Sequence, residues 1–324
     1  MALLSIENLN VTYTTNGERV YAVDGVSLDV LQGRSLGIVG ESGSGKSTLM
    51  HAVLRILHEK IAKVEGKIVF DGRDLLALDD REMMKLRWTE LAVVFQKSMN
   101  ALSPVHRVGS FMRDVYHVHR PEASREEGRA RVLALLEMVN LPAKRVYRLY
   151  PHELSGGMMQ RVGIAMSLMF NPKLLIMDEA TTALDVVTQT QIIQEIQALE
   201  KQLNVTRIMV THDMSVVATA CDEVAVIYAG RLVEMGSTLD TLVDPLHPYT
   251  RCLIQSYPNF SDEGDACRSI PGTLPDMRER PEGCIFAARC PEAKEICLLQ
   301  KPLMRDYGAR RRAACHFAEV KSHD

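Results

Sequence analysis

The sequence predicts an α/β fold: a mostly parallel sheet covered by helices on both faces. Three observations carry this expectation. Short apolar strands alternate with helical segments through much of the 324 residues, which is the pattern of a sheet buried on both sides. One such strand, Ser35-Leu36-Gly37-Ile38-Val39, runs directly into Gly40-Glu41-Ser42-Gly43-Ser44-Gly45-Lys46-Ser47, a complete G-x-x-x-x-G-K-[ST] phosphate loop. Another, Leu174-Leu175-Ile176-Met177, ends in the carboxylates Asp178 and Glu179, at the strand end where open α/β sheets bind ligands.

The elements follow in order. Val11-Thr12-Tyr13 and Val20 to Val30 alternate partly with period two and predict strands. Lys46 to Leu57 carries helical spacing through Leu49, Val53, Leu54 and Leu57. Gly66 to Gly72 predicts a strand closed by a turn, and Leu91 to Phe95 a buried strand with Gln96 directly behind it. From about 97 to 160 the pattern is mostly helical, clearest from Arg125 to Val139, and it interrupts the alternation as an inserted subdomain. After the acidic strand come a helix from about Thr188 to Leu203, a strand from Thr206 to Thr211, and His212. The alternation stops near Asp244-Pro245-Leu246-His247-Pro248-Tyr249. That places a domain boundary at about 245, with an extension over 246–324.

Composition narrows the functional classes. Hydrophobic residues at 46% and charged residues at 24% are ordinary for a soluble globular chain. A net charge of -3 lacks the basic footprint of a nucleic-acid binder. No apolar run approaches the ~18 residues that span a bilayer, and Met1 to Glu7 lacks a basic n-region and a long apolar h-region. If the protein drives transport, other chains are expected to supply the membrane path. None of the seven cysteines precedes Cys221, and Cys284, Cys290, Cys297 and Cys315 cluster near the end. Without an export signal, such clustering argues for metal or cluster ligation rather than disulfides.

The glycines of the phosphate loop let successive N–H groups turn inward toward phosphate oxygens, and the following helix adds its positive end. Lys46 is expected to reach the β- and γ-phosphates and Ser47 to bind Mg²⁺. For Asp178 and Glu179 the plain alternative is a pair of solvated carboxylates capping the next helix.

Between these two features lies Leu154-Ser155-Gly156-Gly157-Met158, which resembles the signature of the ATP-binding-cassette (ABC) family. The resemblance covers residues 1 to about 245. It implies a phosphate-loop cassette with a helical subdomain (about 97–160) and an antiparallel β subdomain. It also implies ATP hydrolysis at the interface between two such subunits. Gly40, Ser42, Gly43, Gly45, Lys46, Ser47 and Thr48 then cradle the nucleotide, and Tyr13 stacks on adenine, with Tyr21 as second choice. Asp178 holds Mg²⁺ through water, and Glu179 polarises the attacking water as general base. Gln96 contacts Mg²⁺ or the water, His212 contacts the γ-phosphate, and Asp185 belongs to the loop that communicates across the dimer. Ser155, Gly156 and Gly157 meet the γ-phosphate of the partner's nucleotide. Two departures from the family pattern, Met158 and Ala180, remove no charge or ligand.

His247-Pro248-Tyr249-Thr250, Leu274-Pro275, the wording of Tyr150 to Met158 and the Cys-rich tail resemble the ATPases of oligopeptide/dipeptide/nickel importers. That implies a second related ATPase, two permease chains, an extracytoplasmic solute-binding protein, and a peripheral place on the cytoplasmic face of the membrane. Ser98 to Pro104 lies where such ATPases contact the permease. Cys284-x5-Cys290-x6-Cys297-x17-Cys315 offers four thiolates. Zinc modules usually space ligands more closely, and the tail of related ATPases resembles a [4Fe–4S] site. Zinc and free buried thiols stay open as alternatives. The rival classes are a soluble ABC ATPase of DNA repair or translation, and a nonhydrolytic partner subunit.

Overall fold

The computed structural model of the chain describes residues 1–15, 17–95, 102–180, 185–257, 270–308 and 310–320. Two compact units emerge: Met1–Leu78 with Met209–Asp324, and Asp79–Ile208.

The first unit opens with β1 (Ala2–Thr15) and β2 (Glu18–Leu31), followed by β3 (Ser35–Val39), α1 (Lys46–Val53), β4 (Ala62–Phe70) and β5 (Arg73–Asp74). β2, β1, β4 and β5 form a four-stranded antiparallel sheet in that order. Leu4, Ile6, Val11, Leu28, Ile68 and Phe70 are its buried apolar face. β1 and β2 are longer than their sequence pattern suggests, because register shifts between Ile6 and Leu9 and between Leu9 and Val11 break the period-two alternation. α1 is shorter than expected: Leu54 is its C-cap, and Arg55 follows in a left-handed conformation, φ 50°.

The second unit holds α2 (Asp80–Leu86), β6 (Leu91–Phe95), α3 (Val108–His119), α4 (Arg125–Met138), α5 (Ala143–Val146), α6 (Gly156–Ser167), β7 (Leu174–Asp178), α7 (Val186–Leu203) and most of β8 (Thr206–Val210). β6 and β7 pair in parallel, Leu91 with Leu174 through Phe95 with Asp178, so the acidic strand ends level with the strand expected to present Gln96. Capping boxes start α2 at Asp79/Glu82 and α4 at Ser124/Glu127, each satisfying two otherwise orphaned N–H groups. The expected helix over Arg125 to Val139 is α4.

The chain then returns to the first unit through α8 (Met214–Ala220), β9 (Glu223–Tyr228), β10 (Arg231–Ser237), α9 (Thr238–Val243) and α10 (Pro248–Gln255). It finishes with α11 (Glu295–Leu299), β11 (Arg305–Asp306) and β12 (Arg312–Ala313). β3 runs parallel to β9, β10 turns back antiparallel, and β12 and β11 extend the edge. The tail shares the core of these strands. Phe286 is 1% exposed and packs on Tyr228 and Tyr249, ring centroids 5.1 and 5.3 Å away.

One buried polar junction ties α10 to β10. Glu234 accepts the N–H groups of Leu246 and His247, both at 2.9 Å, and His247 Nδ1 caps α10 by accepting the Tyr249 N–H at 3.0 Å. Burial, then the nearby Arg251 charge, pushes the His247 imidazole down to about 3. The folded state keeps His247 neutral while the unfolded chain protonates it below its ordinary value. Its contribution to stability is therefore lost as pH falls from about 6.5 toward 3, at about 1.4 kcal/mol per pH unit. Glu234, raised by burial, has the opposite sign: its contribution fades as pH rises. Replacing His247 by Asn keeps a capping acceptor and removes the titration. Urea melts across pH 4–7 are expected to show the variant losing a positive slope that the parent keeps. Parallel slopes would mean that His247 titrates normally.

Candidate nucleotide-binding site

The phosphate loop sits in the first unit between β3, buried along all five residues, and α1. Its glycines are required where backbone closes in. A Cβ on Gly40, φ 150°, would lie 2.1 Å from the Ile227 carbonyl oxygen, and one on Gly45, φ 96°, 2.1 Å from that of Ala22. Lys46 is 4% exposed and donates to the carbonyls of Gly40 and Glu41, both at 2.8 Å, and to Ser44 Oγ at 3.4 Å. Its ammonium thus lies across the mouth of the loop, where phosphate oxygens are expected. Tyr13, the expected adenine-stacking ring, stands beside the start of α1, its hydroxyl 3.4 Å from Thr48 Oγ1.

The extension grips this loop, a feature that motif reading missed. Arg289 forks onto Glu41 with Nη1–Oε1 at 2.9 Å and Nη2–Oε2 at 3.1 Å. The Arg289 side chain is 7% exposed, and it also donates to the Pro271 carbonyl at 2.6 Å and to Tyr228 Oη at 3.2 Å. Tyr249 Oη accepts the backbone N–H of Glu41 at 2.9 Å, and burial keeps that phenol protonated far past neutrality. Tyr257 Oη donates to the carbonyl of His212. Three residues of the extension, Tyr249, Tyr257 and Arg289, therefore fasten the loop and the histidine expected at the γ-phosphate. The only hint in sequence was the His247-Pro248-Tyr249 run.

The second unit carries the other expected groups. Asp178 closes β7 and is 6% exposed, and Glu179 follows in a left-handed conformation, φ 48°. This non-glycine strain turns the chain off the strand direction at that carboxylate. Ser155 is the N-cap of α6, its Oγ accepting the Met158 N–H at 3.3 Å. Asp185 caps α7, accepting the Thr188 N–H at 3.0 Å and its hydroxyl at 2.7 Å. These bonds hold the exposed Asp185 carboxyl below its ordinary range. Ser155, Gly156, Gly157, Asp185 and Thr188 line one cavity of about 660 Å³. A Cβ on Gly157 would come within 3.0 Å of Thr188 Cγ2, so glycine lets the two helix starts approach. Two helix N-termini open on this cavity, a positively polarised setting for an anion. Gln96, Ser98 to Ala101 and Ala183-Leu184 lie outside the described residues.

Cys284, Cys290, Cys297 and Cys315 all line one small cavity of about 20 Å³ beside His247 and Phe286. Burial, with smaller contributions from neighbouring thiols, raises Cys284 and Cys315 and pushes Cys290 up to about 11. Four soft donors lining one cavity are the ligand type of a thiolate-bound metal. The volume, however, admits a single water-sized or ionic occupant rather than a four-iron cube. Among the described residues no group of three or more His, Cys, Asp or Glu is arranged to hold a metal ion. The iron–sulfur expectation is therefore not met by this geometry, which gathers the donors without spacing them around a cluster. Among the described residues no helix is long and apolar enough to cross a membrane.

Comparisons with known proteins cover nearly the whole chain. Residues 23–182 match the ABC transporter family, and residues 233–297 match the oligopeptide/dipeptide transporter C-terminal region. The oligopeptide transport ATP-binding protein OppD of Escherichia coli K12 is 42% identical over 96% of this chain and 92% of its own length. The dipeptide transport ATP-binding protein DppD of Bacillus subtilis is 42% identical over 91% of this chain and 88% of its own length. Among solved structures, the dimeric post-hydrolysis state of the ATP-binding cassette MJ0796 bound to ADP and Pi superposes with a TM-score of 0.65. It is 31% identical and covers 72% of this chain and 98% of that one.

Proposed function

Because the chain belongs to the ABC transporter family of ATP-binding proteins and has their phosphate-loop cassette fold, we propose that its ATP hydrolysis powers import of di- or oligopeptides through separate permease chains. The observation that carries this reading is the joint match: a cassette at 23–182 and a peptide-transporter C-terminal region at 233–297 on one chain.

This reading divides the steps among the following residues. Gly40, Ser42, Gly43 and Gly45 turn backbone N–H groups toward the phosphates, and Lys46 exchanges its loop carbonyls for phosphate oxygens. Tyr13 and Thr48 flank the base end of the site. By family resemblance Ser47, Asp178 and Gln96 would supply the oxygen ligands of Mg²⁺, which would neutralise phosphate charge when bound. Glu179 takes a proton from water as its oxygen bonds to the γ-phosphorus and the β–γ bridging bond breaks. His212 steadies the γ-phosphate. Ser155, Gly156 and Gly157, opening α6, receive the γ-phosphate of a partner's nucleotide, and Asp185, opening α7 on the same cavity, belongs to the loop that communicates across the dimer. ATP then favours the paired state and hydrolysis releases it, a two-state switch able to do mechanical work.

The partners of this reading are a second related ATPase, two permease chains and an extracytoplasmic solute-binding protein, with this chain peripheral on the cytoplasmic face. The domain boundary near 245 and the permease contact over Ser98 to Pro104 belong to it as well. A soluble ATPase of DNA repair or translation fits less well, since relatives spanning over nine-tenths of the chain are transport proteins. The test is uptake of a labelled dipeptide by vesicles bearing the co-purified complex. Accumulation that needs internal ATP supports the reading, and ATP-independent entry or none contradicts it.

By family resemblance the tail thiols Cys284, Cys290, Cys297 and Cys315 are read as ligands of a [4Fe–4S] cluster, with zinc as the alternative. Such a group would be held by thiolates, so its binding would have to displace the protons that burial holds on Cys284, Cys290 and Cys315. Iron and acid-labile sulfide on anaerobically purified chain separate the two. About four of each per chain identify the cluster, whereas zinc without sulfide identifies a structural module.

A further inference from the structure

The first unit holds a second cavity that the ATPase reaction does not use. It measures about 300 Å³ and lies between β10 and the segment after α11, near the lower size of small-molecule sites. We propose that it binds a small organic carboxylate with an apolar body, bridging the cassette strands and the C-terminal extension.

Charge is the first argument. The Asp24 carboxylate is approached by three cations: Arg231 Nε at 2.7 Å, Arg280 Nη2 at 3.4 Å and Lys301 Nζ at 4.0 Å. Arg312 also lines the cavity and Asp306 faces it, while His247 is kept neutral by burial. Among the residues that line the cavity, Arg231, Lys301 and Arg312 against Asp24 and Asp306 leave one positive charge in excess, and Arg280 adds a cation to Asp24 from outside the lining. Lys301 registers this crowding: burial, then Arg231, lowers its ammonium despite the attraction of Asp24.

Hydrogen bonding is the second argument. Arg231 is 8% exposed, and its Nη1 is buried without a hydrogen-bond partner among the protein groups. A guanidinium has five donors in a fixed fork that matches a carboxylate, and Arg231 lines the cavity with its Nε bonded to Asp24. The walls choose among anions. Leu232, Val233, Ile285, Leu303 and Met304 line the same space, which suits a hydrocarbon body and leaves inorganic phosphate underpacked. Such a ligand would hold Lys301 of the extension to Arg231 and Arg312 of the edge strands.

The inference stands apart from the transport reading, since none of these residues is expected to touch nucleotide. Calorimetry on the full chain saturated with Mg-ADP, which occupies the phosphate loop, tests it with three probes. N-acetyl-leucine is expected to bind one per chain. Leucinamide, with the same body and no carboxylate, is expected not to bind, and phosphate is expected to bind at least about tenfold more weakly. Lys301→Gln and Arg312→Gln, both at partly exposed positions and harmless to folding, should each weaken N-acetyl-leucine by about fivefold. Equal binding of leucinamide, phosphate as tight as N-acetyl-leucine, or affinity unchanged in both variants would each overturn the assignment. So would the absence of binding by N-acetyl-leucine.

Discussion

Glu179→Gln is expected to bind Mg-ATP as the parent does and to lose at least about 100-fold of its turnover in the assembled complex. The substitution preserves shape and hydrogen-bonding reach and removes only the ability to accept a proton. Glu179 lies one residue past the buried Asp178, in a left-handed conformation at φ 48°. Gln tolerates that backbone about as well as Glu, so the loss cannot be assigned to refolding of the strand end. Because ATP holds the paired state and hydrolysis ends it, the variant should accumulate as an ATP-bound dimer visible by size-exclusion chromatography. Turnover within threefold of the parent would remove Glu179 from the role of base. Lost turnover without a trapped dimer would place the defect in binding instead. Lys46→Ala supplies the contrast: it removes a cation from the loop mouth, so nucleotide affinity itself should fall.

Local motifs exposed the nucleotide chemistry before any coordinates did. The phosphate loop, the signature and the acidic strand each need their residues within eight consecutive positions, so a linear reading finds them. The strands Leu91 to Phe95 and Leu174 to Asp178 follow the same logic, since buried parallel strands are continuous apolar runs, whereas their pairing is not written in either run. Sequence periodicity failed where the backbone departs from regularity. The bulges in β1 hid how far that strand extends, and the left-handed Arg55 stopped α1 before the apolar spacing ran out. Long-range polar contacts were out of reach altogether. Glu41 and Arg289 are 248 positions apart, and nothing in either neighbourhood marks a pair. Glu41 is a variable position of the loop pattern, and Arg289 draws notice only by preceding Cys290. The tail cysteines illustrate the reverse case: their clustering in sequence does predict one shared cavity, but not its size.

That long-range pair leads to the other large effect. Arg289→Ala is expected to raise the KM for ATP about tenfold while leaving kcat within about twofold, because it acts on the geometry of the loop rather than on the reacting atoms. The fork between Arg289 and Glu41 is a charge-assisted bidentate contact with its guanidinium buried, worth about 2 kcal/mol. Removing it leaves the Glu41 carboxylate facing Tyr228 and the loop backbone without its counter-charge. The same loop supplies the two carbonyls that hold Lys46, those of Gly40 and Glu41. A shift there therefore moves the ammonium expected to meet the phosphates. Arg289→Lys keeps the charge and loses the fork, so an intermediate KM is expected. Glu41→Gln should resemble Arg289→Ala, and combining the two should add little, since both remove one interaction. Thermal melts separate this from general damage: saturating ATP should restore turnover in a chain that is folded at the assay temperature. An unchanged KM in a folded Arg289→Ala chain would mean that the phosphate loop holds its shape through Tyr249 and its own glycines. The extension would then be a passenger on the nucleotide site rather than its outer wall.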